Sequence, residues 1–351
     1  MSKAIDEPAP AAGRGKTIRR LAAVGLAVAF GWFVLSEHRS VSVAIEAIRN
    51  VGRVDVCIGM LLVIGALWNQ AAFHAASQRA AGGNVRASEM VVPVAAAAFA
   101  NAVVKSGAMA GLAAMVSAAR RSGRSRSSTV SGYMLVNVLG HVAFALTLAI
   151  GMVMLSLSGR FTHVDAVAAA IFGVLSLAQF LIIAAAFRTR DTLHRVQQFP
   201  ARMLGRFRGR RIGQNTDRTE STELNVRTDE LFESVQIIRR SPRAIGLASG
   251  YALGVEVFGI AQLWLVLHAL HANVSLAVPV VAYGISVLFG IVGFLPAGLG
   301  TVEIGLGAVL ESYGMTRSGA IAAVVLYRVL ELWIPLALGL FATQRLARAT
   351  Q

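Results

Sequence analysis

Long apolar runs, separated by short polar stretches rich in arginine, set the pattern of this chain. Runs at 21–36, 54–73, 130–157, 164–187, 244–270 and 318–343 read as membrane-crossing helices, the first short and the others at or above the roughly 20 residues that a bilayer core requires. Two further apolar pairs are interrupted. Residues 90–104 and 107–119 are each too short to cross and are joined by Lys105-Ser106-Gly107, while 277–295 and 300–313 flank a break containing Pro296, Gly298 and Gly300. Such pairs predict re-entrant helix hairpins. The fold expected is therefore an all-α polytopic membrane protein with about six full transmembrane helices and two re-entrant broken-helix pairs.

The polar remainder completes the division of the chain. Residues 1–17 read as a disordered N-terminal tail and 346–351 as a C-terminal tail, with the transmembrane domain over 18–345. The run 21–36 follows Lys16-Thr17-Ile18-Arg19-Arg20 without a small-residue cleavage pattern, so it reads as a signal anchor. Residues 40–50 carry a helical apolar stripe (Val41, Ala44, Ile45, Ile48) suited to an interfacial helix. Trp68, near the end of its run, suits an interface anchor. The long polar segment 188–243 holds 13 Arg against 7 acidic residues, too small and too polar for a conventional catalytic domain, and reads as a basic linker within the membrane domain.

Composition sharpens this picture only where charge is concerned. The chain is 56% hydrophobic with a net charge of +15, carried by thirty Arg and three Lys. Because these charges lie between apolar runs, they suit an anionic membrane surface better than nucleic acid. Their bias puts the N-terminus and the 188–243 linker on the cytoplasmic side of the membrane. The single Cys57 lies in an apolar run, which excludes a disulfide framework, and no His, Cys or acidic spacing suggests a metal site. No nucleotide or other cofactor motif is present; the Gly298–Gly305 stretch GLGTVEIG follows no strand.

An offset of 191 residues aligns the two interrupted regions. Lys105-Ser106-Gly107 meets Pro296-Ala297-Gly298, Gly123 meets Gly314, Arg126-Ser127 meets Arg317-Ser318, and Val138-Leu139 meets Val329-Leu330. With three spans between the hairpins, the second copy would be inverted, bringing both hairpins to the midplane as in alternating-access transporters.

The ionisable residues at membrane depth are the candidate chemistry, since each costs roughly 2.5–3.5 kcal/mol to insert. Lys105 is the only lysine outside the N-terminal tail, and either meets a lipid phosphate or snorkels to the interface. Arg328 either grips a phosphate or pairs with Glu331 or Glu303 to make its own burial tolerable. Glu303, near the start of the helix that leaves the break, is favoured there as a carboxylate and is also placed to accept a proton. Glu256 needs a partner or a proton. Asn101, Asn137 and His141 are membrane-embedded polar groups of the kind that join helices. Pro296, Gly298, Gly300 and Gly107 are the hinge positions.

The pattern P-x-G-x-G-x-x-E at Pro296, Gly298, Gly300 and Glu303, then Gly314 and Arg328 in the following helix, resembles the flippase-like membrane region of lysylphosphatidylglycerol synthases. That family includes stand-alone YbhN-type and hopanoid-associated membrane proteins. The N-terminal half resembles it more loosely, through Asn101, the 105–107 turn and the basic loop ending at Arg126. The resemblance implies a bacterial inner-membrane protein that moves, or helps move, a lipid between leaflets; the basic groups at membrane depth suit an anionic or phosphate-bearing headgroup, with Lys105, Arg328, Glu303, Glu331, Glu256 and Asn101 expected about the substrate in one cavity. The family's bifunctional members add a soluble aminoacyl-transferase domain, whereas this chain stops at Gln351, so a non-enzymatic protein is expected. Two other readings stand beside it. One is an accessory protein that recruits enzymes of lipid, hopanoid or glycolipid synthesis through the 188–243 linker. The other is an intramembrane lipid-modifying transferase, for which no donor motif is visible.

Overall fold

The computed structural model describes residues 51–104, 108–157, 241–272, 274–292 and 296–348, all within one compact unit, Val51–Gln351. These residues form helices α1 (Arg53–Ala80), α2 (Ala87–Val103), α3 (Met109–Arg121), α4 (Arg126–Leu157), α5 (Pro242–Ala269), α6 (Ala277–Val292), α7 (Thr301–Ser312), α8 (Arg317–Arg328) and α9 (Ile334–Arg348). A 3₁₀ turn, Pro296–Gly298, lies between α6 and α7, and a π-helical turn, Val329–Trp333, joins α8 to α9. The protein is an all-α polytopic membrane protein. Among the described residues, four helical stretches are long and apolar enough to cross a bilayer: α1, α4, α5 and continuous α8–α9. The pairs α2–α3 and α6–α7 are short and broken, as the interrupted apolar runs predict. The predicted tail 1–17, the runs 21–36 and 164–187, the stripe 40–50, nearly all of the 188–243 linker, and Lys105 and Gly107 lie outside the described residues.

Two boundaries differ from the sequence reading. The helix predicted at 54–73 continues to Ala80, and its last turns bury Asn69, His74, Ser77 and Gln78 against protein. A helix of 28 residues is about 42 Å long, so Trp68 sits in its middle and does not mark its end. The linker ends at Ser241, because Pro242 begins α5, where its missing N–H and fixed φ suit a first helical turn.

The 191-residue offset extends through the whole fold. It carries α1 onto α5, α2 onto α6, α3 onto α7 and α4 onto α8–α9, with ends matching to within about two residues. Gly123 and Gly314, in the equivalent turns, both have positive φ, 64° and 92°. Packing repeats too. Leu148 of α4 meets Gly284 of α6, and the approach of Gly339 in α9 to Ala95 and Phe99 of α2 is its counterpart in the other half.

The sense of the repeat follows from α1 and α5, which are equivalent and pack side by side. Gly59 meets Leu265, Gly65 meets Phe258, and Gly254 meets Asn69, while the Asn69 amide donates to the Tyr251 carbonyl at 2.9 Å. Rising numbers on one helix meet falling numbers on the other, so the two run antiparallel. A two-fold operation that reverses helix direction has its axis across the helices, in the membrane plane. The copies are thus inverted, by an argument independent of the number of spans joining them.

The core between the halves is built from small residues. Ala71, Ala72, Ala75, Ala76, Ala248 and Ala252 are almost completely buried, and Gly65 and Gly254 let α1 and α5 approach so closely that an added methyl would collide. Small residues are what permit close backbone approach in lipid, where no hydrophobic difference drives helices together. The large apolar side chains that remain exposed, among them Leu61, Ile64, Val153, Val257 and Phe341, lie on the spanning helices and fit a lipid-facing role.

Candidate functional site

The break in the second half is where backbone and charge meet. Ala297, Gly298 and Gly300 all have positive φ, 54°, 65° and 79°. For alanine this left-handed conformation costs roughly 1–2 kcal/mol. Gly298 is required twice over, since a Cβ there would also lie 2.8 Å from Val302 and 2.9 Å from the Gly290 Cα. The turn leads into α7, whose first turn carries Glu303.

Arg328, at the end of α8, fastens this turn. Its Nε donates to Glu303 Oε1 at 2.6 Å, its Nη1 to Glu331 Oε2 at 3.1 Å, and its Nη2 to the Ala297 carbonyl at 2.9 Å. The arginine side chain is only 4% exposed, against 21% for Glu303 and 40% for Glu331. A guanidinium so placed shares its one positive charge between two carboxylates and holds a strained carbonyl. Of the alternatives the sequence leaves open, the geometry supports pairing, and with both glutamates at once. The π turn presents Glu331, and Pro335 explains that turn: it has no N–H for the Glu331 carbonyl and would crowd it, so the ladder widens and Ile334 bonds back to Val329.

The first half does the same work with neutral groups. Ala108 also has positive φ, 71°, and its carbonyl accepts from the Tyr133 hydroxyl of α4 at 3.1 Å. Asn101 of α2 accepts from Gly111 N at 2.6 Å and donates to Tyr133 at 3.0 Å, so the broken pair is tied across its own gap. Asn137 donates to the Tyr133 carbonyl at 2.8 Å, and His141 Nδ1 lies 2.6 Å from the Asn137 carbonyl. Each half thus holds a left-handed alanine by a side chain from the next span, a phenol in one and a guanidinium in the other.

A cavity of about 400 Å³ opens between the halves, walled by α1, α2, α4, α5, α6 and the π turn. Its polar lining is Gln70, His74, Asn101, Tyr133, Asn137, Gln262, Tyr283 and Glu331, set among Val, Ala, Leu and Phe. Of the described residues singled out from sequence, Asn101, Asn137 and Glu331 reach this wall, beside Gln70 and His74 of α1. Arg328 and Glu303 stand behind Glu331, and Glu256 is buried in α5, hydrogen-bonded to the Tyr283 hydroxyl. Among the described charged candidates Glu331 lines this cavity, whereas Arg328 is engaged by carboxylates and does not.

Tyr133, Gln262 and Tyr283 are the site residues that sequence reasoning misses. Tyrosine and glutamine inside an apolar run carry no charge and barely alter its hydropathy. The usable signal was their position, on the hairpins' neighbours at membrane depth, where a polar tip needs a partner. Among the described residues no group of three or more His, Cys, Asp or Glu is placed to hold a metal ion.

Residues 20–339 match the family described as Lysylphosphatidylglycerol synthase TM region. No curated protein matches the chain.

Proposed function

Because this chain belongs to the lysylphosphatidylglycerol synthase transmembrane-region family, we propose that it moves a lipid between the leaflets of a bacterial inner membrane, as a transporter and not as an enzyme. One observation carries the reading: a partly polar cavity lies between two inverted halves, each with a broken helix pair beside it. In such an arrangement the headgroup rests among amides and hydroxyls near the midplane while the acyl chains stay in the bilayer, and rocking of one half against the other changes the side to which the cavity opens. The headgroup is bound by Asn101, Asn137, Gln70, Gln262 and the two tyrosines, with Glu331 supplying one acceptor charge. Lys105, four residues beyond Asn101 in sequence, is the cation we assign to a phosphate-bearing headgroup; Arg328 acts by holding Glu331 and the Pro296–Gly298 turn in place.

The test is lipid movement in proteoliposomes carrying labelled anionic, zwitterionic and isoprenoid lipids. Wild type should move one class faster than protein-free vesicles. Asn137→Leu should abolish that movement, because it puts an apolar group in the cavity wall while the lost side-chain bond lies within its own helix. Folded wild-type protein that moves no lipid, with or without a pH gradient, would reject transport and favour recruitment of lipid-synthesis enzymes by the 188–243 linker.

A further inference from the structure

Glu256 takes no part in the cavity wall. It is 6% exposed and lies in the turn of α5 that crosses α1, where Gly65 meets Phe258. These equivalent helices of the two inverted halves cross there, so Glu256 stands close to the pseudo-two-fold axis, at the depth that both halves share. One carboxyl oxygen is served by the Tyr283 hydroxyl. The other, Oε2, is buried without any hydrogen-bond partner.

The surroundings decide what that oxygen can hold. From α6 the Tyr283 phenol faces it, and the Tyr327 phenol of α8 lies next, hydrogen-bonded to Ser286. Arg328 and Glu331 lie beyond Tyr327, and the guanidinium is already engaged by Glu303, Glu331 and the Ala297 carbonyl. At the crossing α1 presents Gly65 and the Asn69 amide, which is given to the Tyr251 carbonyl. Val136, Leu139 and Ala143 are what α4 turns toward α5. No cation among the described residues neutralises Glu256. An unpaired carboxylate buried at membrane depth costs several kcal/mol, a cost that disappears when the group is protonated.

Packing on α5 beside Glu256 is tight. A Cβ on Gly259 would strike the Tyr283 ring, and one on Gly254 would strike the Asn69 amide. Access is present all the same, because Tyr283 lines the cavity on one side and touches Glu256 on the other. A phenol in that position relays a proton: its O–H proton passes to the carboxylate as it takes one from hydronium in the cavity, ending as a neutral phenol beside a neutral acid.

We propose that Glu256 is a proton-carrying site that couples movement of the two halves to the proton gradient, loaded from the cavity through Tyr283. The coupling rests on the lipid-transport reading above; the proton site itself does not. With the halves closed on the α1–α5 crossing, the carboxyl is neutral, and it releases its proton when the halves part and water reaches it.

Two measurements on the full-length protein separate these ideas. Infrared difference spectra of detergent-purified protein, taken across a pH titration in sodium and in potassium buffers, should show a protonated-carboxyl carbonyl band. That band should be missing in Glu256→Gln, displaced in Tyr283→Phe, and the same in both salts. Its persistence in folded Glu256→Gln would overturn the site, and a band that vanishes in sodium alone would overturn a proton in favour of a metal cation. Should Glu256→Gln fail to fold, an undisplaced band in Tyr283→Phe overturns the site instead. In liposomes of phosphatidylethanolamine and phosphatidylglycerol with a trace of labelled phosphatidylglycerol, a pH gradient should change wild-type lipid movement severalfold and leave Glu256→Gln unchanged. Lipid movement indifferent to the gradient would overturn coupling and leave transport standing. The Glu256 band without movement of any lipid of the labelled anionic, zwitterionic and isoprenoid panel would reject transport and keep the proton site.

Discussion

Replacing Arg328 with methionine tests the charged cluster most directly. Methionine retains much of the apolar stem and removes the guanidinium, leaving Glu303, Glu331 and the Ala297 carbonyl without their partner. Removing one member of a buried ion pair costs about 3–5 kcal/mol, and an orphaned carbonyl about 1–3 kcal/mol. Solvent reaches Glu331, 40% exposed, and to a lesser degree Glu303, 21% exposed, which screens the exposed carboxylate and places the total nearer the low end. A loss of roughly 3–5 kcal/mol is expected, a large part of a typical domain's stability. The assay is equilibrium unfolding in mixed micelles of dodecyl maltoside and dodecyl sulfate, followed by helix signal. Adding Glu303→Gln and Glu331→Gln to Arg328→Met should restore most of the loss, because the two stranded charges are then gone. Arg328→Lys should fall between, since an ammonium keeps the charge but cannot reach three acceptors in the guanidinium's fork geometry. A single variant within about 1 kcal/mol of wild type, or a triple variant no better than the single one, would refute the pairing argument.

Further expectations concern the breaks and the repeat. Gly298→Ala combines a left-handed alanine with a collision against Val302 and the Gly290 backbone, and should cost about 1–3 kcal/mol in the same unfolding assay. Tyr133→Phe removes the hydroxyl from the Ala108 carbonyl and from Asn101; a cost of about 1 kcal/mol is expected, with hydrogen exchange rising around 108–111 before the rest of the bundle. In a Cys57→Ser background, Ser122→Cys and Ser312→Cys occupy equivalent exposed turns of the inverted halves. An impermeant maleimide should label them from opposite faces of the membrane, and labelling from one face would rule out inversion.

Much of this architecture is legible without coordinates. The lengths of the apolar runs set α2, α3 and α7 apart from full spans, because bilayer thickness sets a length for any crossing helix. Proline and glycine at 296, 298 and 300 mark the second break, since backbone conformation there depends on each residue's own sterics. Repetition of break, Gly123 or Gly314, and following helix is likewise a linear signal that an offset along the chain can find.

Which groups meet is another matter. Arg328 finds Glu303 across 25 residues, and Tyr133 finds Ala108 across a similar gap, because helix rotation and the π turn before Pro335 decide which way each side chain faces. Sequence pattern admits Arg328 as a phosphate ligand or an internal counter-ion; only the fold places two carboxylates and a strained carbonyl around it. The inversion itself rests on antiparallel contact between α1 and α5, made by glycines and alanines whose hydropathy says nothing of partner or direction. Composition and periodicity act along one dimension and so determine where helices begin, end and break. Cavity walls and buried charge pairs come from contacts between segments far apart in the chain, and those exist only once the helices have packed.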